Sequence, residues 1–235
     1  FFNVPAPPEI YTLSLHDALP IWQIELQNHG NKLFFRNLYI REIPAAEANM
    51  ILAASRVDQF ESIFNGRDFT GWTGDVDAYE VVEGAITCKK GQGGNVFTKA
   101  QYSDFVARLE FQLPPGGNNG LVLRYTGEGR PHLGGLEIQV LDSEHPKYAD
   151  LDPRQYHGSI YGLVPAHRGY LRPAGEWNFQ QVTVRGSKVK VELNGTTIVD
   201  ADLALVEESK DGPVPENARR KTGHFGFAGH NDPVA

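Results

Sequence analysis

The chain has 235 residues, 40% of them hydrophobic, with 25 Gly and 15 Pro, which allows one large or two small domains built from short strands and turns. Its net charge of -7 argues against a nucleic-acid binder, which needs a basic face. The single cysteine, Cys88, excludes an intrachain disulfide and a Cys-based zinc site, and no apolar run reaches the roughly 20 residues that a membrane-spanning helix requires.

The chain begins with Phe rather than Met, which reads as a fragment, and no basic segment followed by an apolar stretch marks a signal peptide. Thr12 to Ile21 read TLSLHDALPI. The codons ACT CTT TCC CTA CAC GAC GCT CTT CCG ATC, those of a common sequencing adapter, encode these residues in order. Residues 1–21 are therefore read as an assembly artefact, and His16 and Asp17 as no catalytic pair. In Trp22 to Pro44, Ile24 and Leu26 alternate with polar residues, then come a turn at Asn28 to Asn31 and a second strand-like run. Ile24, Leu26, His29 and Leu33 fall on Phe225, Phe227, His230 and Val234 at a distance of 201 residues, a weak repeat. Residues 22–44 thus read as the last strands of an upstream copy of a domain, and 45–57 as an Ala-rich linker with at most a short helix. The main domain, 58–235, is expected to lack its final strand, leaving an open sheet edge. Leu33 to Glu42 has the pattern to dock there.

Within 58–235, Phe105 to Leu113 alternate with period two, as do Leu121 to Tyr125 and Leu136 to Leu141. Val182 to Leu193 gives two further strands around Arg185-Gly186-Ser187. Asn194-Gly195 is a strong hairpin signal, explaining that site better than its match to a glycosylation sequon. Many short strands with almost no helical period predict an all-β fold, and the size favours a two-sheet jelly-roll sandwich over a small barrel.

The alternation puts Glu137 and Gln139 on the face opposite Leu136, Ile138 and Val140, and Arg124 opposite Leu121 and Leu123. A carboxylate, an amide and a guanidinium suit a polyhydroxy ligand; an Arg–Glu pair on a solvated face is the plainer alternative. Asp142 to Glu176 lack periodicity but carry His145, Tyr148, Tyr156, His157, Tyr161, His167 and Tyr170. Aromatics at that density predict an ordered loop over a site. Gly91 to Gly94 is no phosphate loop, having neither the Lys nor a following helix.

Short phrases at Ile63–Trp72, GLEIQVLD at Gly135–Asp142, HGSIYGLVPA at His157–Ala166, PAGEWN at Pro173–Asn178, VELNGTTIVD at Val191–Asp200 and GHFGFAGHNDPV at Gly223–Val234 follow one another in order. This ordered set resembles the 3-keto-disaccharide hydrolase domain family. The resemblance implies a concanavalin-like jelly roll, export to the periplasm or cell surface of a bacterium, and hydrolysis of 3-keto-glycosides; no cofactor is expected, since no ligand spacing in the chain demands a metal ion. A ketone at C3 acidifies the C2 proton, so the chemistry needs a base, an acid for the leaving oxygen and a group that stabilises an enolate. The resemblance offers Glu137 as base, Asp142 or His157 as acid, and Arg124 and Gln139 on the C3 oxygen, with Tyr161, Trp177, Asn178 and His230 lining the site. A non-catalytic carbohydrate-binding module is the alternative, since fold alone does not separate the two. Convergence of Glu137, Asp142 and His157 would mark an enzyme, and their scattering a binding module.

Overall fold

The structure, a computed structural model, describes Arg36 and residues 39–55, 59–230 and 232–235. The adapter-like stretch and the upstream strands lie outside the described residues. Of the segment expected to dock as a strand, Arg36 and residues 39–42 are described and have no regular structure. The chain divides after Ile40 into two units, and the second, Arg41–Ala235, holds the sandwich.

The Ala-rich linker forms one helix, α1 (Ala45–Ala54), starting after Pro44. Asn49 buries itself against the sandwich, its amide donating to Glu110 at 2.9 Å and accepting from Arg172 at 2.7 Å. Thirteen strands follow among the described residues: β1 (Trp72–Gly74), β2 (Tyr79–Val82), β3 (Ala85–Cys88), β4 (Gly93–Tyr102), β5 (Phe105–Gln112), β6 (Asn118–Tyr125), β7 (Leu136–Leu141), β8 (Trp177–Arg185), β9 (Lys188–Leu193), β10 (Thr196–Asp202), β11 (Glu208–Ser209), β12 (Gly212–Pro213) and β13 (Gly223–His230). A one-turn helix, α2 (Pro131–Gly134), lies between β6 and β7.

Two antiparallel sheets form the sandwich, one ordered β1-β4-β13-β6-β7 and the other β10-β9-β8-β5. The fold is therefore the expected all-β jelly-roll sandwich. Its core collects the inward residues of both sheets, among them Leu121, Leu123, Ile138, Val182, Val191 and Phe225. Burial of this apolar set drives the folding. The β9–β10 hairpin turns at Asn194 and Gly195, both at positive φ (50° and 88°), as a two-residue turn requires. β5 is the edge of its sheet, where Ala235 pairs with Gln112 through two backbone hydrogen bonds.

The edge of β7 is covered. The long aperiodic segment folds back so that Gly158 and Tyr161 donate to Gln139 O and Glu137 O, and Ser159 O accepts from Gln139. The expected ordered loop is thus present, with Ile160 fully buried.

Alternation fails at Arg124. Two residues of β6, Leu123 and Arg124, stand opposite one residue of β13, and Arg124 takes φ 52°, making a bulge. Arg124 is buried to 2% exposure, donating to the carbonyls of Ser103, Gly186 and Arg220 and pairing with Asp104 at 3.2 Å. Its donors are spent on the turns that close the sandwich, which corrects the expectation of a ligand clamp.

Candidate functional site

The outward face of the larger sheet carries Glu137. Period-two alternation in β7 sends Leu136 and Ile138 into the core and Glu137 to the other side, yet Glu137 is only 5% exposed. Its carboxylate leans across the neighbouring strand and lies over Gly120 of β6. A Cβ at position 120 would stand 2.3 Å from Glu137 Oε1. No other residue type leaves that space, so Gly120 is the floor of the site.

Two imidazoles flank the carboxylate, one on each oxygen. His132 Nδ1, brought back over the strand by α2, lies 3.6 Å from Oε2. His230 Nε2, at the end of β13, lies 3.9 Å from Oε1. These separations exceed hydrogen-bond length, so the attraction is between charges when the rings are protonated. Burial pushes the Glu137 carboxyl up, and the two imidazoles pull it down by more, leaving it below the ordinary carboxylate value. A base held ionised at mildly acidic pH, with two proton carriers beside it, can abstract, deliver and stabilise charge.

A cleft opens from this group, lined by His132, Glu137, Tyr161 and the β11–β12 hairpin with Lys210 and Asp211. The Tyr161 ring packs on His132 with centroids 5.3 Å apart, and its hydroxyl accepts from Gln155 at 2.9 Å. Asn217 fixes the α2 segment from beneath, its amide donating to the carbonyls of His132 (2.9 Å) and Gly135.

Of the residues expected from the sequence, Glu137, Tyr161 and His230 come together. Gln139 shares the face, but its amide donates to Asn118 Oδ1 at 2.7 Å and Asn119 O at 3.2 Å, which ties β7 to β6. His157 is corrected. It is packed on Phe111 and buried, its Nδ1 accepts from the Leu141 N–H, and burial holds its pKa near 3 against the opposing contact with Gln180. A ring that stays neutral inside the protein carries no proton to a leaving group. Asp142 is also corrected: Oδ2 accepts from the Gly116 N–H at 2.7 Å and holds the β5–β6 turn. Trp177 and Asn178 begin β8, in the other sheet. Asn178 Oδ1 accepts from Arg172 N and Asn194 Nδ2, and the Trp177 carbonyl accepts from Asn49, so both brace loops and helix.

Asp142 and His157 lie beside each other and do not join Glu137, an outcome that by the sequence criterion favours a binding module; a different group, Glu137, His132 and His230, converges in their place. The sequence reading missed His132 and Lys210. His132 had a signal, a lone His five residues before Glu137 in a Gly- and Pro-rich connection, but only a helical turn brings it back over the strand. Among the described residues, no group of three or more His, Cys, Asp and Glu is placed to hold a metal ion, and no helix is long and apolar enough to cross a membrane.

Comparison with known proteins identifies the family of this chain. Residues 59–235 match the profile of the 3-keto-alpha-glucoside-1,2-lyase-like domain. A 3-keto-disaccharide hydrolase of Bacteroides thetaiotaomicron is 24% identical over 191 residues, covering 70% of this chain and 66% of that protein, a little under two thirds of its length. Among solved structures, a candidate glycosyl hydrolase from Parabacteroides distasonis superposes with a TM-score of 0.63 at 25% identity, over 76% of this chain and 91% of that one. Another from the same organism gives 0.63 at 24% identity, over 70% and 89%.

Proposed function

Because the chain belongs to the 3-keto-alpha-glucoside-1,2-lyase-like family, we propose that it cleaves 3-keto-glycosides, 3-keto-disaccharides among them, through proton abstraction at C2. One observation carries this reading: a buried carboxylate flanked by an imidazole on each oxygen. In the substrate, C2 lies between C1, which bears the leaving oxygen, and C3, which bears the ketone. A base on C2 with a proton donor on either side matches that order.

In this mechanism Glu137 takes the C2 proton, and the C–H electrons form an enolate whose oxygen sits on C3. His230 donates a hydrogen bond to that oxygen and stabilises its charge. The enolate then collapses: the C3 carbonyl re-forms, a C1–C2 double bond forms, and the C1–O bond breaks. His132 gives its proton to the departing oxygen. Once the departing sugar leaves, the Glu137 proton exchanges with solvent; water then adds at C1, with neutral His132 taking its proton and Glu137 delivering a solvent-derived proton to C2. The sum is hydrolysis, and release before water enters would be elimination.

The test is release of free sugar from 3-keto-lactose or 3-keto-trehalose by the wild type and by Glu137→Gln. Cleavage is expected from the first and a loss of at least about 1,000-fold in the second, the scale of deleting a buried catalytic base. Binding of the sugar with no cleavage by the wild type would instead support the carbohydrate-binding module.

A further inference from the structure

The cleft beyond the catalytic group has a built wall that the reaction does not use. Lys210, at the tip of the β11–β12 hairpin, donates through Nζ to Asp211 Oδ1 at 2.8 Å, and the same Nζ stands 5.9 Å from the Tyr161 ring centroid. Its backbone N–H donates to Gly162 O at 2.7 Å, which pins the hairpin to the loop that carries Tyr161. Its methylene stem lies along Gly162, where an added Cβ would meet Cγ at 3.6 Å. The Asp211 carboxylate holds the Lys210 ammonium fully charged, its pKa raised. Lys210 is thereby placed by main chain, stem and head together.

We propose that Tyr161, Lys210 and Asp211 form the subsite for the departing sugar and set the preference for a neutral second ring over a small alcohol. This rests on the reading of the protein as a 3-keto-glycoside-cleaving enzyme. Direction follows from His132. Its ring packs on Tyr161, and the cleft runs from there to the hairpin. An oxygen protonated by His132 therefore has its substituent over Tyr161 and toward Lys210. The chemistry of the wall fits a sugar. An ammonium gives donors, a carboxylate gives acceptors, and an aromatic face covers C–H groups. The two charges cancel, so the wall favours an uncharged polyol over a uronate or a phosphate ester.

The test compares two substrates with the same 3-keto-glucosyl group. One is 3-keto-trehalose, whose second ring reaches the hairpin. The other is methyl 3-keto-glucoside, whose methanol does not. The readout is the ratio of their kcat/KM values in the full chain, for wild type, Lys210→Met and Asp211→Asn. Losing one charge-assisted hydrogen bond lowers the ratio in favour of the disaccharide by about 10-fold or more in each variant. A ratio that stays within about twofold of wild type, with activity present, overturns the subsite and leaves the activity standing. A wild type inert toward both substrates overturns the activity and the subsite together.

Discussion

Substituting Gly120 with Ala is a small change with a large expected effect on activity. Gly120 has an ordinary backbone conformation, so Ala adds no strain there. The new Cβ would stand 2.3 Å from Glu137 Oε1, 2.8 Å from Cδ and 2.9 Å from Cγ. An unforced contact is about 3.4 Å or more, so the carboxylate must swing away by about 1 Å. Glu137 is a flexible side chain at this position, and the swing costs the fold little, at the low end of the ~1–3 kcal/mol seen for overpacking. Misplacing a catalytic group by about 1 Å costs on the order of 100-fold in rate, about 2.7 kcal/mol of barrier. The contrast is Gly223, where a Cβ would meet the Arg124 backbone at 2.3 Å and nothing can give. Gly120→Ala should therefore keep its Tm within a few degrees and lose about 100-fold in kcat on a 3-keto-disaccharide, whereas Gly223→Ala should fail to fold well. Full activity in a folded Gly120→Ala would refute the position assigned to Glu137.

His157 bears on acid stability. Its pKa in the folded chain lies near 3 against an ordinary value of 6.5, so the unfolded chain binds its proton more readily in between. Stability should fall as pH drops below about 6.5, by about 2 kcal/mol at pH 5, and His157→Gln should flatten that dependence in urea titrations at pH 5 and 7. Arg124→Met removes the donors that tie together three turn carbonyls, of Ser103, Gly186 and Arg220, and should cost about 1–3 kcal/mol, read as a lower Tm. His230→Gln removes one of the two imidazoles that hold the Glu137 carboxyl down and leaves its burial intact. The acid limb of the kcat/KM profile should then move to higher pH; an unmoved limb would contradict the electrostatic account.

Much of the fold was legible because strand alternation is a local property. Phe105 to Gln112, Leu136 to Leu141 and the Asn194-Gly195 hairpin carry their own signals of period and turn, and the sandwich follows from their number. Glu137 was legible for the same reason. Arg124 was not, because a bulge is set by pairing with a partner strand 100 residues away in the chain, and its positive φ leaves no mark in the sequence. His157 and Asn178 look like polar loop residues, yet their neighbours Phe111 and Asn194 come from other elements and convert them to internal braces. His132 reaches Glu137 through a helical turn too short to show a period. The partners of the carboxylate were therefore a tertiary property, while the carboxylate was not.

The measurement that bears most directly on the central claim is isotope incorporation at C2. A 3-keto-disaccharide is cleaved in deuterium oxide, and the released 3-keto-sugar is followed by NMR at short times against uncatalysed exchange. Proton abstraction by Glu137 predicts deuterium at C2 in step with cleavage by the wild type, and neither exchange nor cleavage in Glu137→Gln. Cleavage that leaves the C2 hydrogen in place would contradict it.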